Sequence, residues 1–258
     1  MTRDFFSESS FAKSYDKARK NLKKNLKSFR RDPNEDGTHD VRTAIRKTDA
    51  ALELLPKKMR SSKKTTQLKK NHKKIMRESA TIRDLDIISA RISRHPQSPA
   101  RKSLLKKIKK NRKDRVAKAT RIANSIRRLS VPKSGAVDLP PEKLQKRFSK
   151  EVAKLSEGVN ATLPTVLNNP ANAEEIHTLR KYCKRLRYLF ELASSKNSEI
   201  ASILKTWQDQ LGAVHDGDVT IAYLSKAKKS TEIEEMVATE LRDRNHDYEK
   251  FLEICLNR

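Results

Sequence analysis

One patterned segment occurs twice in this chain, and the repeat constrains what the rest can fold into. It runs from His177-Thr178-Leu179-Arg180 through Lys184, Arg185, Arg187 and Tyr188 to Leu192. At about 100° per residue, a helix puts His177, Arg180, Lys184 and Arg187 on one side. Leu179, Cys183, Leu186 and Phe190 fall on the other. The first half does the same: His39, Arg42 and Arg46 share one face, and Val41, Ile45, Thr48 and Leu52 share the opposite one. The pairs His39/His177, Arg42/Arg180 and Arg46/Lys184 are each 138 residues apart. An apolar stripe on a helix has to be buried against something. Two copies at constant register therefore predict an internal duplication.

A second motif follows each copy. Arg83-Asp84-Leu85-Asp86-Ile87 comes 44 residues after His39, and His215-Asp216-Gly217-Asp218-Val219 comes 38 after His177. Carboxylates at i and i+2 leave a helix on different sides, so the two in a pair do not easily share one ion. Three roles stay open for Asp84, Asp86, Asp216 and Asp218. They can hold His or Arg in place by charge-assisted hydrogen bonds, ligate a metal, or form interhelical ion pairs. Holding or structural roles are favoured. Gly212 and Gly217 beside His215 predict a close helix crossing or a local break.

The remaining chain reads as helices. Residues 9–31 carry Phe11, Ala18, Leu22, Leu26 and Phe29 at helical spacing. Asp32-Pro33-Asn34 and Asp36-Gly37 read as a turn, and Thr38 as the N-cap of a helix ending near Leu55. Further helices are expected at 63–94, 99–129, 142–163, 173–195, 198–226 and 231–257. Asn172-x-x-Glu175 and Thr231-x-x-Glu234 resemble capping boxes. Val131 to Pro141, with Pro132, Gly135 and Pro140-Pro141, is the candidate linker. The expectation is an all-α protein of two four-helix bundles related by pseudo-two-fold symmetry: 1–131, a linker at 132–141, and 142–258.

Charge narrows the function. The net charge is +27, which favours a polyanion: DNA, RNA, anionic lipid or inorganic polyphosphate. The positive charge is placed rather than spread. Lys57 to Lys74 holds nine Lys/Arg and no acid, and Arg101 to Arg128 holds thirteen against Asp114 alone. From Ser230 to Asn257 the balance reverses, with eight acids against three Lys/Arg. Like charges at i,i+4 weaken a helix by a few tenths of a kcal/mol per pair, so something must compensate on the fourth helix, and a bound anion would. Aromatics make up 5%, too few for a reader that stacks bases on exposed rings. Two cysteines, Cys183 and Cys255, both on apolar stripes, point to a reduced, cytosolic compartment. No secretory leader or 18-residue apolar run is seen, so no membrane association is expected.

At the level of whole motifs, "HDVRTAIRK", "IRDLDII", "HTLRKYCKRLRYLFEL" and "WQDQLGAVHDGDV" resemble the CHAD family, the conserved histidine α-helical domain. The resemblance extends from about residue 8 to 257. It implies two four-helix bundles around a basic central groove or pore that binds inorganic polyphosphate, and polyphosphate granules as a candidate location. The Glu-x-Glu-x-Lys motif of the triphosphate-tunnel domain that often accompanies CHAD is absent, so a stand-alone copy is expected.

The residues fit that chemistry. A linear polyphosphate carries roughly one charge per phosphate and no bases, so it needs a track of cations. The candidate contacts are His39, Arg42, Arg46, Lys47, His177, Arg180, Lys181, Lys184, Arg185 and Arg187. Arg83, Lys106, Lys109, Lys113, Arg121 and His215 are secondary candidates, and Tyr188 reads as packing. No Gly-rich phosphate loop, Cys/His metal set or Ser/His/Asp arrangement stands out, so no cofactor, metal or catalytic residue is expected. Nucleic-acid binding is the main alternative. A phosphohydrolase using His39 or His177 with Asp84 or Asp216 is a weaker one.

Overall fold

The computed structural model describes residues 5–126, 131 and 141–256, and these are helical with no strand. The helices are α1 (Glu8–Arg31), α2 (Glu35–Leu54), α3 (Lys57–Arg60), α4 (Lys63–Ile92), α5 (Pro99–Ile126), α6 (Pro141–Asn168), α7 (Ala173–Ala193), α8 (Ser198–Leu224) and α9 (Thr231–Leu256). A 3₁₀ turn at Ser195–Asn197 precedes α8.

The chain packs as two compact units. The first gathers the described residues of Met1–Arg83, Asp114–Leu155 and Arg185–Ser202. The second gathers those of Asp84–Lys113, Ser156–Lys184 and Ile203–Arg258. Each unit therefore takes segments from both halves of the sequence repeat. Residues 132–140 of the expected linker lie outside the described residues, as do 127–129 of the fourth helix and residue 257 of the last.

In unit 1, α1 packs on α2. The stripe of α2 is fully buried: Val41, Ile45, Thr48 and Leu52 are all at 0% exposure. Thr48 is polar, but its hydroxyl donates to the Ala44 carbonyl at 2.8 Å, so its burial leaves no donor unmet. Phe148 links the core of this unit, 5.5 Å from Phe6 and edge-on to Phe190 at 5.8 Å.

Unit 2 has two apolar cores. Leu85, Ile88 and Ile92 of α4 meet Leu104 and Ile108 of α5, Leu224 of α8, and Ile233 and Met236 of α9. The other core joins Val166, Ile176, Leu179, Cys183, Leu211, Val214, Tyr248 and Phe251. Burial pushes the Cys183 thiol up to about 12, so it behaves as an inert apolar group.

Several helix ends differ from expectation for definable reasons. The N-cap of α2 is Asn34, not Thr38: the Asn34 side chain accepts from Gly37 N at 2.7 Å, and Thr38 lies inside the helix. Such a cap is worth about 1 kcal/mol. Asp36-Gly37 therefore belongs to the first helical turn, where a Cβ on Gly37 would sit 2.7 Å from the Asp32 carbonyl. Helix α6 continues past Pro164 to Asn168. The Tyr248 hydroxyl donates to the Val166 carbonyl at 2.6 Å and lies 3.2 Å from that of Leu167, supplying partners at the end of the extension. Ser230, not Thr231, caps α9, accepting from Ile233 N at 3.3 Å.

The two readings of Gly212 and Gly217 resolve to close packing, since α8 runs unbroken through both. A Cβ on Gly217 would fall 2.8 Å from Arg244 Cβ, and one on Gly212 would fall 3.2 Å from Arg180 Nη2.

Candidate anion-binding site

The buried stripe of α7 fixes which way its polar stripe points. Ile176, Leu179, Cys183 and Leu186 are buried, so His177, Arg180, Lys181 and Lys184 emerge on the other side of the same turns. In unit 2 these four meet His215 of α8. The His177 and His215 rings lie 4.4 Å apart, centroid to centroid, tilted by 32°. The Arg180 guanidinium lies over Gly212, one turn before His215, and a larger residue there would crowd it.

Both rings are half-buried, and their basicity is strongly depressed. Burial is the main cause for His177, helped by the charges of Lys181, Arg180 and Lys184, and together they take it down to about 4. His215 falls to about 3, again mostly through burial, then through His177, Arg180, Lys184 and Lys181. At neutral pH the pair is uncharged beside three cations. The His177 Nδ1 atom is buried and makes no hydrogen bond within the protein.

Unit 1 presents a different picture. His39 is exposed, with its Nε2 3.5 Å from the Thr43 hydroxyl. Arg42 donates from Nη1 to the Met76 carbonyl at 3.0 Å and to Ser79 Oγ at 3.2 Å. Arg46 is half-buried on the same face. Lys47 is bound by Glu191 at 2.9 Å, and the same carboxylate lies 3.6 Å from Arg187 Nε. Both cations lie over the Tyr188 ring, Arg187 at 4.7 Å and Lys47 at 5.8 Å. Tyr188 is buried, in keeping with a packing role. Arg83, which occupies the place in its motif that His215 holds in the other, pairs with Glu35. Arg185 and Arg121 are exposed.

The Asp pairs show a regularity. Asp86 binds Arg112 Nε at 2.5 Å, and Asp218 binds Arg244 Nε at 2.9 Å; each partner lies 26 residues further along. The second carboxylate of each pair is thus an interhelical ion pair, tying α4 to α5 and α8 to α9. Asp84 and Asp216 are half-buried. Part of the compensation sought for the cationic α5 comes from α4: Asp86 takes Arg112 and Glu78 takes Arg115 at 3.2 Å. Lys106, Lys109 and Lys113 remain exposed on the outer face of that helix.

His215, a secondary candidate in the sequence, is the residue that the structure sets against His177. The available signal was its equivalence to Arg83, but the approach to His177 depends on how α7 crosses α8. Among the described residues, no three His, Cys, Asp or Glu side chains converge as metal ligands. No helix among them is long and apolar enough to cross a membrane.

Comparison with known proteins agrees with the fold. The structure resembles the crystal structure of the CHAD domain from the plant Ricinus communis, with a TM-score of 0.70 over 95% of this chain and 90% of that one, at 14% identity. No curated protein matches the sequence. The sequence model of the CHAD domain matches residues 13–225. The chain belongs to the CHAD domain family.

Proposed function

We propose that this CHAD domain is a binding protein for inorganic polyphosphate, acting without catalysis of its own. The observation that carries the reading is the unit 2 cluster. Three cations of one helix lie beside a pair of half-buried histidine rings from two helices, 4.4 Å apart and tilted by 32°. Arg can fork onto two phosphate oxygens, and Lys adds mobile point charges. Nothing in the cluster reads a base, which suits a polymer that has none.

The family resemblance implies that His39, Arg42, Arg46 and Lys47, with Arg185 and Arg187, also contact polyphosphate. We further propose that residues 1–131 and 142–258 are duplicated four-helix bundles in pseudo-two-fold relation. The matched Asp86–Arg112 and Asp218–Arg244 pairs, at the same separation, support the duplication. A reduced cytoplasm, including polyphosphate granules, is the proposed location. Lys106, Lys109, Lys113 and Arg121 are proposed as outer contacts for a long chain.

The test is a competition at physiological salt. Long-chain polyphosphate, duplex DNA and RNA are matched in phosphate concentration and set against a labelled polyphosphate probe. The expected result is displacement by polyphosphate at concentrations where both nucleic acids fail. Equal or better displacement by DNA or RNA would place the protein among nucleic-acid binders, whose affinity comes from counterion release.

A further inference from the structure

A neutral imidazole suits an anion poorly. One ring nitrogen donates, but the other presents a lone pair that repels phosphate oxygens. A protonated imidazole donates from both nitrogens and carries a charge. In the free protein the His177–His215 pair is held in the unfavourable form. Its rings lie 4.4 Å apart, half out of water, beside Arg180, Lys181 and Lys184 of α7. On the same elements, Glu175 lies two residues before His177 and Asp216 directly follows His215. From α9, Arg244 is bound to Asp218 one residue beyond Gly217. The net push on both rings is against protonation.

A polyphosphate seated in this cluster reverses the balance. Its charges offset those of Arg180, Lys181 and Lys184, which press on both rings, and so remove much of the local penalty against a proton on the pair. Two imidazolium ions at this spacing would repel each other strongly, so one proton serves the pair.

We propose, resting on the polyphosphate reading above, that polyphosphate binding is coupled to uptake of about one proton by the His177–His215 pair, so that affinity rises as pH falls. The linkage sign is fixed. Where the bound state holds one proton more than the free state, affinity gains up to about tenfold for each unit that pH falls. The gain ends above the range in which the bound pair titrates, where the complex no longer takes up a proton.

The experiment is calorimetric titration of the full chain with long-chain polyphosphate, between pH 7.5 and 5. It is run at each pH in two buffers of different ionisation heat, so that proton uptake is read directly. The wild type is expected to take up about one proton at the acid end and to bind more tightly there. The double variant His177→Gln with His215→Gln is expected to bind through the remaining cations with uptake abolished and the pH dependence flattened. Binding by the wild type without buffer-dependent heat would overturn the coupling and leave polyphosphate binding intact. Equal uptake by wild type and double variant would also overturn it, by moving the proton to the polymer ends or another group. No binding heat in any buffer would remove the polyphosphate reading and this inference with it. Wild-type uptake needs no variant, so the result stands even if the double variant fails to fold.

Discussion

Removing Arg180 and Lys184 together separates a built site from a general cloud of charge. The substitution Arg180→Ala with Lys184→Ala takes two cations from a chain of net charge +27. Long-range attraction should therefore hardly change. Locally the loss is larger: Arg180 lies over Gly212, and both cations act on the paired histidines. A charge-assisted contact to phosphate is worth about 1.5–3 kcal/mol. Losing two costs about 3 kcal/mol at the low end, a weakening of roughly a hundredfold. The control, Lys57→Ala with Lys58→Ala, removes the same charge from exposed positions on α3 and should cost severalfold at most. Binding of long-chain polyphosphate by fluorescence anisotropy at physiological salt reads both, with circular dichroism to show that each variant stays helical. A second readout belongs to the cluster alone: without those two charges, His177 and His215 should titrate above the values of about 4 and 3 that they have now. Equal affinity losses in the two folded variants would mean that the polyanion senses only net charge, and the site assignment would fall.

Three further outcomes are expected. The free protein should lose stability as pH drops from 7 to 5, because the unfolded chain protonates His177 and His215 near 6.5 while the folded one resists until about 4 and 3. After halving for remaining solvent contact, this is about 1 kcal/mol per histidine at pH 5; thermal melts should show a smaller acid loss in the double Gln variant, and an equal loss would refute the assignment. Replacing Glu240 by Ala strands the buried Arg91 and frees His95, whose Nε2 lies 3.1 Å from that carboxylate. A broken buried pair costs about 3–5 kcal/mol, roughly a 10 °C fall in Tm, whereas Lys205→Ala at the exposed Asp209 pair should move Tm by a degree or so. Incubation with polyphosphate and Mg²⁺ or Mn²⁺ should release no orthophosphate above background; turnover that is lost on replacing Asp84 or Asp216 would move the protein to the enzymes.

The helical fold was legible because its signals are local and periodic. The α2 stripe at 41, 45, 48 and 52 is one face of a helix, and the structure buries all of it. The Asp pairs illustrate the limit of such signals. That carboxylates at i and i+2 serve different sides follows from helix geometry alone. That Asp86 finds Arg112 and Asp218 finds Arg244 follows only from which helices become neighbours. Helix ends departed from the periodic pattern where a single side-chain partner, near or far in sequence, decides them. Proline argues for a stop at 163, yet the Tyr248 hydroxyl from α9 sits at the carbonyls beyond it. Gly37 reads as a turn, yet Asn34 three residues earlier captures its N–H and starts the helix there.

What the cations of the first stripe already hold bears on where affinity can arise. Arg42 is committed to the Met76 carbonyl and Ser79, Lys47 to Glu191, and Arg83 to Glu35. A cation engaged in this way must exchange one oxygen partner for another when phosphate arrives, and only the difference counts toward binding. In unit 2 the balance is different at the histidines. His177 keeps a buried nitrogen without a hydrogen-bond partner in the protein, and His215 lies against it in a field of three cations. Under the polyphosphate reading, an anion arriving beside the pair relieves like-charge crowding and permits a proton to bind, with no internal bond of either ring to break. The His177–His215 pair therefore gives up less on binding, under that reading, than the engaged cations Arg42, Lys47 and Arg83.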